Sequence, residues 1–257
     1  TVSDALISAF LSDGINEHLR ESIADALAKI GGDGARDALV QAFDGPSKGS
    51  PPVRTRAIKF LAEIGDEGAV TWLLWILKND KARKIRIEAA TALGQIGDAA
   101  AFSGLAFALL GRDHKYVRSS AADALAKIGD ERALDALVQD VQAMVVRVDQ
   151  AKGDDHLGDA LWVGARVVAA IGRTRWVPAL TPLVPALIQL LDKSEAWEPN
   201  KKSNGMATAV LDALGVFGGE QACQSLRLLL VGPGRHFGAS VRSRAETALF
   251  KCTRAIP

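Results

Sequence analysis

Only two cysteines, Cys223 and Cys252, occur in the 257 residues. So few fit a reduced, cytoplasmic protein better than a disulfide framework. Cys252 is expected as a buried thiol, since free cysteine behaves as a small core residue. No uninterrupted run of about 18 apolar residues is present, so no membrane-spanning helix is expected. Excess charge of one sign is missing as well, because 31 basic and 30 acidic residues leave a net charge of +1. A dedicated nucleic-acid binder carries a surplus of Lys and Arg, so nucleic acid is disfavoured as a partner. The chain has no Cys-x-x-Cys, no Gly-rich phosphate loop and no nucleophile elbow, and no signal peptide is visible. Thr1 is not a methionine and the last repeat stops after one helix, which leaves a longer parent chain open.

What the chain does have is repetition. In Val117–Gln139, VRSSAADALAKIGDERALDALVQ, the apolar Val117, Ala121, Ala124, Leu125 and Ile128 recur at three- and four-residue steps. That spacing is one stripe of an α-helix. Gly129 then ends the helix, Asp130 caps the next, and Ala133, Leu134 and Leu137 begin a second stripe. The unit is two antiparallel helices joined by a tight Ile-Gly-Asp turn. One pair cannot cover its own apolar face, so copies must stack.

The Ile-Gly mark stands at Ile30, Ile64, Ile96 and Ile128, spaced by 34, 32 and 32 residues. Weaker copies follow at Ile171-Gly172 and Phe217-Gly218, with Cys252-Thr253 in the same frame. Ten residues before the mark stand Arg20, Arg54, Arg86, Arg118 and Arg242, with Leu161 and Ala207 in the fifth and sixth copies. A structural hydrogen-bond ladder to the Asp after the preceding turn (Asp66, Asp98, Asp130) is expected of these arginines. An all-α stack of about seven helix pairs follows, and with 48% hydrophobic residues the chain can fill a continuous core. A single domain over 1–257 is expected, regular over 1–150 and irregular over 151–257.

At these motifs the chain resembles the short bacterial HEAT repeats named after the phycobilisome lyases, whose pattern reads roughly VRxxAAxALxxIGDxxAxxxL. The resemblance implies a right-handed α-solenoid with the helix before each mark on the concave side. It implies little about function, since the repeat serves lyases, scaffolds and nucleic-acid enzymes alike.

Irregularities mark where specialisation is expected. The loop Asp44–Pro52 is rich in Pro, Gly and Ser, and insertions fall at Ala151–Asp159, Lys193–Asn204 and Val231–Ser240. Pro178, Pro182 and Pro185 interrupt one outer helix. Trp72 and Trp75, three residues apart, are expected to pack between outer helices or to form a docking patch.

The column expected to face the groove reads Asp25, Lys59, Thr91, Asp123, Arg166, Asp212 and Thr247. Trp162 and Arg166 lie one helical turn apart, flanked by Asp123 and Asp212 from adjacent copies. Trp and Arg are the usual anchors of binding surfaces, so these four are the expected partner-binding residues, with Arg56 and Lys59 as polar complement. The competing reading is a solvated salt-bridge row beside a half-buried Trp.

The resulting expectation is a non-enzymatic scaffold that holds another protein, without cofactor or metal. A bilin-handling, lyase-type protein is the alternative implied by the resemblance, with Arg166 pairing a propionate. A HEAT-like DNA glycosylase is third; it needs a basic lining, and the groove columns hold as many acids as bases. Deoxyhypusine hydroxylases, also helical repeats, use His-Glu pairs, and no His-Glu dipeptide occurs here. His18, His114, His156 and His236 sit near one edge, but they lack the paired helical spacing of a metal site.

Overall fold

The computed structural model describes residues 1–12, 14–44, 49–111, 113–130, 201–217, 219–231 and 239–254, with individual residues between 132 and 189. Regular structure among them is entirely helical. The elements are α1 (Val2–Leu11), α2 (Glu17–Ile30), α3 (Gly32–Asp44), α4 (Pro51–Ile64), α5 (Glu67–Asn79) and α6 (Arg83–Ile96). A short 3-10 turn, Ala99–Ala101, runs into α7 (Phe102–Leu110), and α8 spans Lys115–Ile128. Further on come α9 (Lys201–Phe217), α10 (Gly219–Val231) and α11 (Ala239–Arg254). The chain divides into two compact units, Thr1–Ala108 and Leu109–Pro257.

In the first unit α2, α4 and α6 pack on one another in sequence, and α3 and α5 join them as the second helices of each pair. Leu27, Leu61 and Leu93, each three residues before the mark, are buried to 1% exposure or less. Each stabilises the stack by roughly 1.5–3 kcal/mol relative to an exposed side chain. Ile23, Ala57 and Ala89, four residues earlier, are buried beside them, and the small alanines let neighbouring helices approach. The marking isoleucines themselves are only partly covered, and Ile30 is 49% exposed. Ile96 shows why: its Cγ2 lies 3.7 Å from where a Cβ on Gly65 would stand, so it seals the preceding turn rather than filling the core.

The turn has the expected chemistry. Gly65 ends α4 at φ +61°, its N–H donates to the Leu61 carbonyl, and Asp66 Oδ1 accepts from the Ala69 N–H at 2.7 Å. Only glycine takes that left-handed conformation without strain. Pro51 and Pro52 differ from expectation: instead of closing a loop they open α4. Proline fits a first helical turn, whose N–H groups have no intrahelical partner.

The arginine column is structural, but its partners are not the expected ones. Arg20 donates to the carbonyls of Phe10 and Ser12, and Arg86 to that of Asp80 at 2.8 Å. Arg54 pairs with the Asp80 carboxylate, and Arg118 with the Leu109 carbonyl and the Asp140 carboxylate. Asp66, Asp98 and Asp130 instead cap the helices that follow them. The physical reason is polarity. Arg20, Arg86 and Arg118 stand in the first turn of their helices and reach carbonyls at the C-terminus of the preceding helix, which lack intrahelical donors, while Arg54, in the same position of α4, reaches the Asp80 side chain at the C-terminus of the following α5. Arg242 departs from the column and lies 3.8 Å from Glu246 on its own helix.

In the second unit α8 repeats the pattern, with Ala121 and Leu125 fully buried. Near the C-terminus α9 packs on α11, and α10 on both. A Cβ on Gly215 would stand 2.8 Å from Ala248 Cα and 3.0 Å from its carbonyl oxygen. Since that obstacle is backbone, Gly215→Ala is expected to destabilise the protein by about 1–3 kcal/mol. At Gly104 the clash would be with the tip of the Leu74 side chain, which can rotate away. Denaturant midpoints should therefore rank Gly215→Ala well below Gly104→Ala, and equal midpoints would contradict the backbone contact.

The cysteines correct the opening expectation. Cys223 on α10 and Cys252 on α11 are joined in a disulfide, with Cα atoms 5.8 Å apart, and both are buried. Cys252 does occupy a core position, as a bonded sulfur rather than a free thiol. Packing of α10 on α11 brings together residues 29 positions apart.

Candidate functional site

The column that precedes the marks by five residues faces solvent in both units. In the first, Asp25, Lys59 and Thr91 are exposed; in the second, Arg166 and Thr247 are exposed and Asp123 and Asp212 half-buried. No apolar residue stands in it. Hydrogen bonds tie the column across copies. Arg56 Nε donates to Asp25 and its Nη1 lies 3.3 Å from Glu21. Thr55 Oγ1 donates to Glu88 at 2.7 Å. Arg166 donates to Asp123 Oδ2 at 2.8 Å and to Ser119 Oγ at 3.2 Å, and Arg244 to Asp212 Oδ2 at 2.7 Å. Arg56–Asp25 and Arg244–Asp212 occupy the same register, an arginine eight residues before one mark reaching the Asp five before the previous mark. These side chains keep 24–51% exposure, so each pair contributes about 1 kcal/mol or less to stability. Their effect is to hold charged groups in fixed positions.

The expected site residues therefore separate. Arg166 and Asp123 meet directly, while the described ion pair of Asp212 goes to Arg244. Trp162 lies outside the described residues. Arg56 and Lys59 belong to the first unit, where they line a cavity of about 500 Å³ with Asp25, Pro51, Pro52, Thr55 and Lys84. Pro52, Thr55, Arg56 and Lys59 form one stripe of α4, and α2 and α6 supply Asp25 and Lys84. Lys84 escaped the sequence reading because it lies outside the five-before-mark column. Its position in the first turn of α6 was the available signal.

Other candidates have structural roles. His114 caps α8 by accepting the Tyr116 N–H and stacks on the Tyr116 ring. Trp72 and Trp75 make an edge-on pair, centroids 5.8 Å apart, both half-buried. Among the described residues no three His, Cys, Asp or Glu side chains gather as metal ligands; His156 and His236 lie outside them. Arg132 donates side-chain and backbone N–H groups to Asp130, which holds that carboxyl down to about 2. That perturbation belongs to a helix cap, away from the column.

A family model for HEAT repeats matches residues 46–108 and 73–147, which carry the marks at Ile64, Ile96 and Ile128. Residues 46–147 are thus HEAT repeats, within a chain whose regular structure among the described residues is all helical. Among solved structures, the chain is similar to one from the complex of CpcE and CpcF of phycocyanin lyase from a Nostoc species, at 21% identity and a TM-score of 0.42, covering 86% of this chain and 96% of that one. It is also similar to human deoxyhypusine hydroxylase in complex with glycerol, at 19% identity and a TM-score of 0.35, covering 98% of this chain and 96% of that one. No curated protein matches by sequence.

Proposed function

We propose that the chain is a non-enzymatic scaffold that binds a partner protein on the exposed face of its first helices. The observation that carries this is a polar column in each unit, open to solvent and held by cross-copy hydrogen bonds. A rigid, pre-positioned surface loses little side-chain freedom on binding, which is where much of the cost of association lies. Arg56 and Lys59 are the proposed polar contacts of the first unit, and Asp123, Arg166 and Asp212 those of the second, with Trp162 as the second unit's proposed aromatic anchor. No step of this reading needs a cofactor.

No helix among the described residues is long and apolar enough to cross a membrane. The cytoplasmic location expected from the cysteine count rested on free thiols. With Cys223 and Cys252 bonded that premise is gone, since disulfides persist chiefly in oxidising compartments.

The test is capture by the immobilised chain from an extract of its source, quantified by mass spectrometry. Arg166→Glu and Thr91→Glu should each reduce a captured protein several-fold, and Thr71→Glu, exposed on the second helix α5, should not. Capture unchanged by both first-helix variants would move the binding surface elsewhere.

A further inference from the structure

Two columns of the repeat carry the packing of one first helix on the next. Eleven and four residues before the mark stand Val53 and Phe60, Ile85 and Ala92, Val117 and Ala124, and Val241 and Ala248, all at 4% exposure or less. Two residues before the mark stand Ala28, Ala62, Gly94, Ala126 and Gly215, every one of them small. Gly215 shows how the columns meet: a Cβ there would stand 3.1 Å from the Cβ of Ala248, four before the mark of the following copy. A small residue thus receives the packed column of the next helix.

Helices α2 and α11 depart from this in opposite ways. On α2 the same packed column is open: Leu19 is 48% exposed, Ala26 is half-buried, and Ile30 at the mark is 49% exposed. On α11 the residue two before the mark is Phe250, 57% exposed, with the Arg254 guanidinium 4.3 Å above its ring. One helix offers an apolar seat with a small residue in it, and the other a bulky side chain where a small one is usual. The register that sets Gly215 against Ala248 sets Ala28 against Phe60, and it would set Phe250 against Ala26, the same small–large pair reversed.

Charges around the two faces have opposite sign. Helices α1–α3 with their ion-pair partners, the Thr1 ammonium, Arg56 and Asp66, carry eight acids against five bases. Helices α10 and α11 with the partner Asp212 carry five bases against three acids. Arg227, Lys251 and Arg254 have no carboxylate partner among the described residues.

We infer that α11 of one copy of this chain packs on α2 of a second copy, a head-to-tail contact in which Phe250 seats among Leu19, Ala26 and Ile30. Pairing of two α2 faces is disfavoured, because acid-rich surfaces repel and Ala26 against Ala26 leaves a gap. Head-to-tail contact leaves one face of each kind free, so it propagates to further copies. Glu246 limits its strength. Six residues before the mark, where Ala24, Ile58, Ala90 and Ala122 are buried, its side chain is 60% exposed and must lose water when the faces meet. The association is accordingly reversible.

Sedimentation velocity of the full chain, without reductant and over a range of concentrations, tests this. The average mass should climb above that of one chain as concentration rises, and climb less at high salt. Leu19→Asp and Phe250→Asp should each remain single chains; both side chains are exposed, so unchanged melting temperatures would show the variants intact. Mixed together, they should form two-chain species and nothing larger, since the Phe250 face of one meets the Leu19 face of the other. Glu246→Ala should associate several-fold more tightly, and weaker association in that variant would place the contact off this face and overturn the inference. A wild type that stays a single chain at every concentration overturns it too, as does a mixture that fails to pair. Association lost in Leu19→Asp but untouched in Phe250→Asp would identify a symmetric pairing through α2 and refute the head-to-tail contact.

Discussion

Replacing Arg118 by alanine is expected to lower the unfolding free energy by about 3–5 kcal/mol, because it breaks a buried ion pair by removing one partner. Arg118 is 9% exposed and Asp140 only 1%. The guanidinium donates to the Leu109 carbonyl at 2.8 Å and to Asp140 Oδ1, so it satisfies a helix terminus and a buried carboxylate together. Taking it away deprives both of a charged donor in a region that water does not reach. Lysine should recover only part of the loss, since one ammonium cannot reproduce the planar fork that spans two acceptors. Combining Arg118→Met with Asp140→Leu should be milder than Arg118→Ala alone, because no charge is then left buried. Chemical denaturation of the three variants tests this. A loss below about 1 kcal/mol for Arg118→Ala, the size of an ordinary substitution, would mean the pair is not buried in solution.

The second large effect belongs to the disulfide. Cys223 and Cys252 close a loop of 29 residues, and removing such a crosslink costs about 3–4 kcal/mol on the chain-entropy account. Cys223→Ser and Cys252→Ser should each show that loss, and the double variant should be no worse than either, because all three break the same bond. Thiol titration of the wild type, unfolded without reductant, should find no free thiol. Two titrating thiols would show that the sulfurs are adjacent but unbonded, and would restore the premise for a reducing compartment.

Much of the fold was legible in the residues because it is set locally. The three- and four-residue apolar steps place α2, α4, α6 and α8, and a glycine that accepts positive φ ends each at its mark. Asp130 was recognisable as a cap from its place after that glycine, whereas Asp66 and Asp98, expected as partners of the arginines, cap as well. These features depend on helical period and backbone sterics, which neighbouring residues determine by themselves. The outward column could likewise be counted off, since five residues before the mark is the solvent side in every copy described.

Pairings between copies were decided by tertiary structure. That Arg118 would find Asp140 and the end of α7 depends on how antiparallel helices bring one N-terminus beside another C-terminus. The cavity joins Asp25, Arg56 and Lys84 from three helices, and the disulfide joins two. Such meetings depend on the angle and offset between packed helices, set by side-chain volumes such as the missing Cβ at Gly215. A periodic sequence names the faces of each helix by local geometry alone; only the stack, where packing chooses the offset, decides which residue of one face meets which residue of the next.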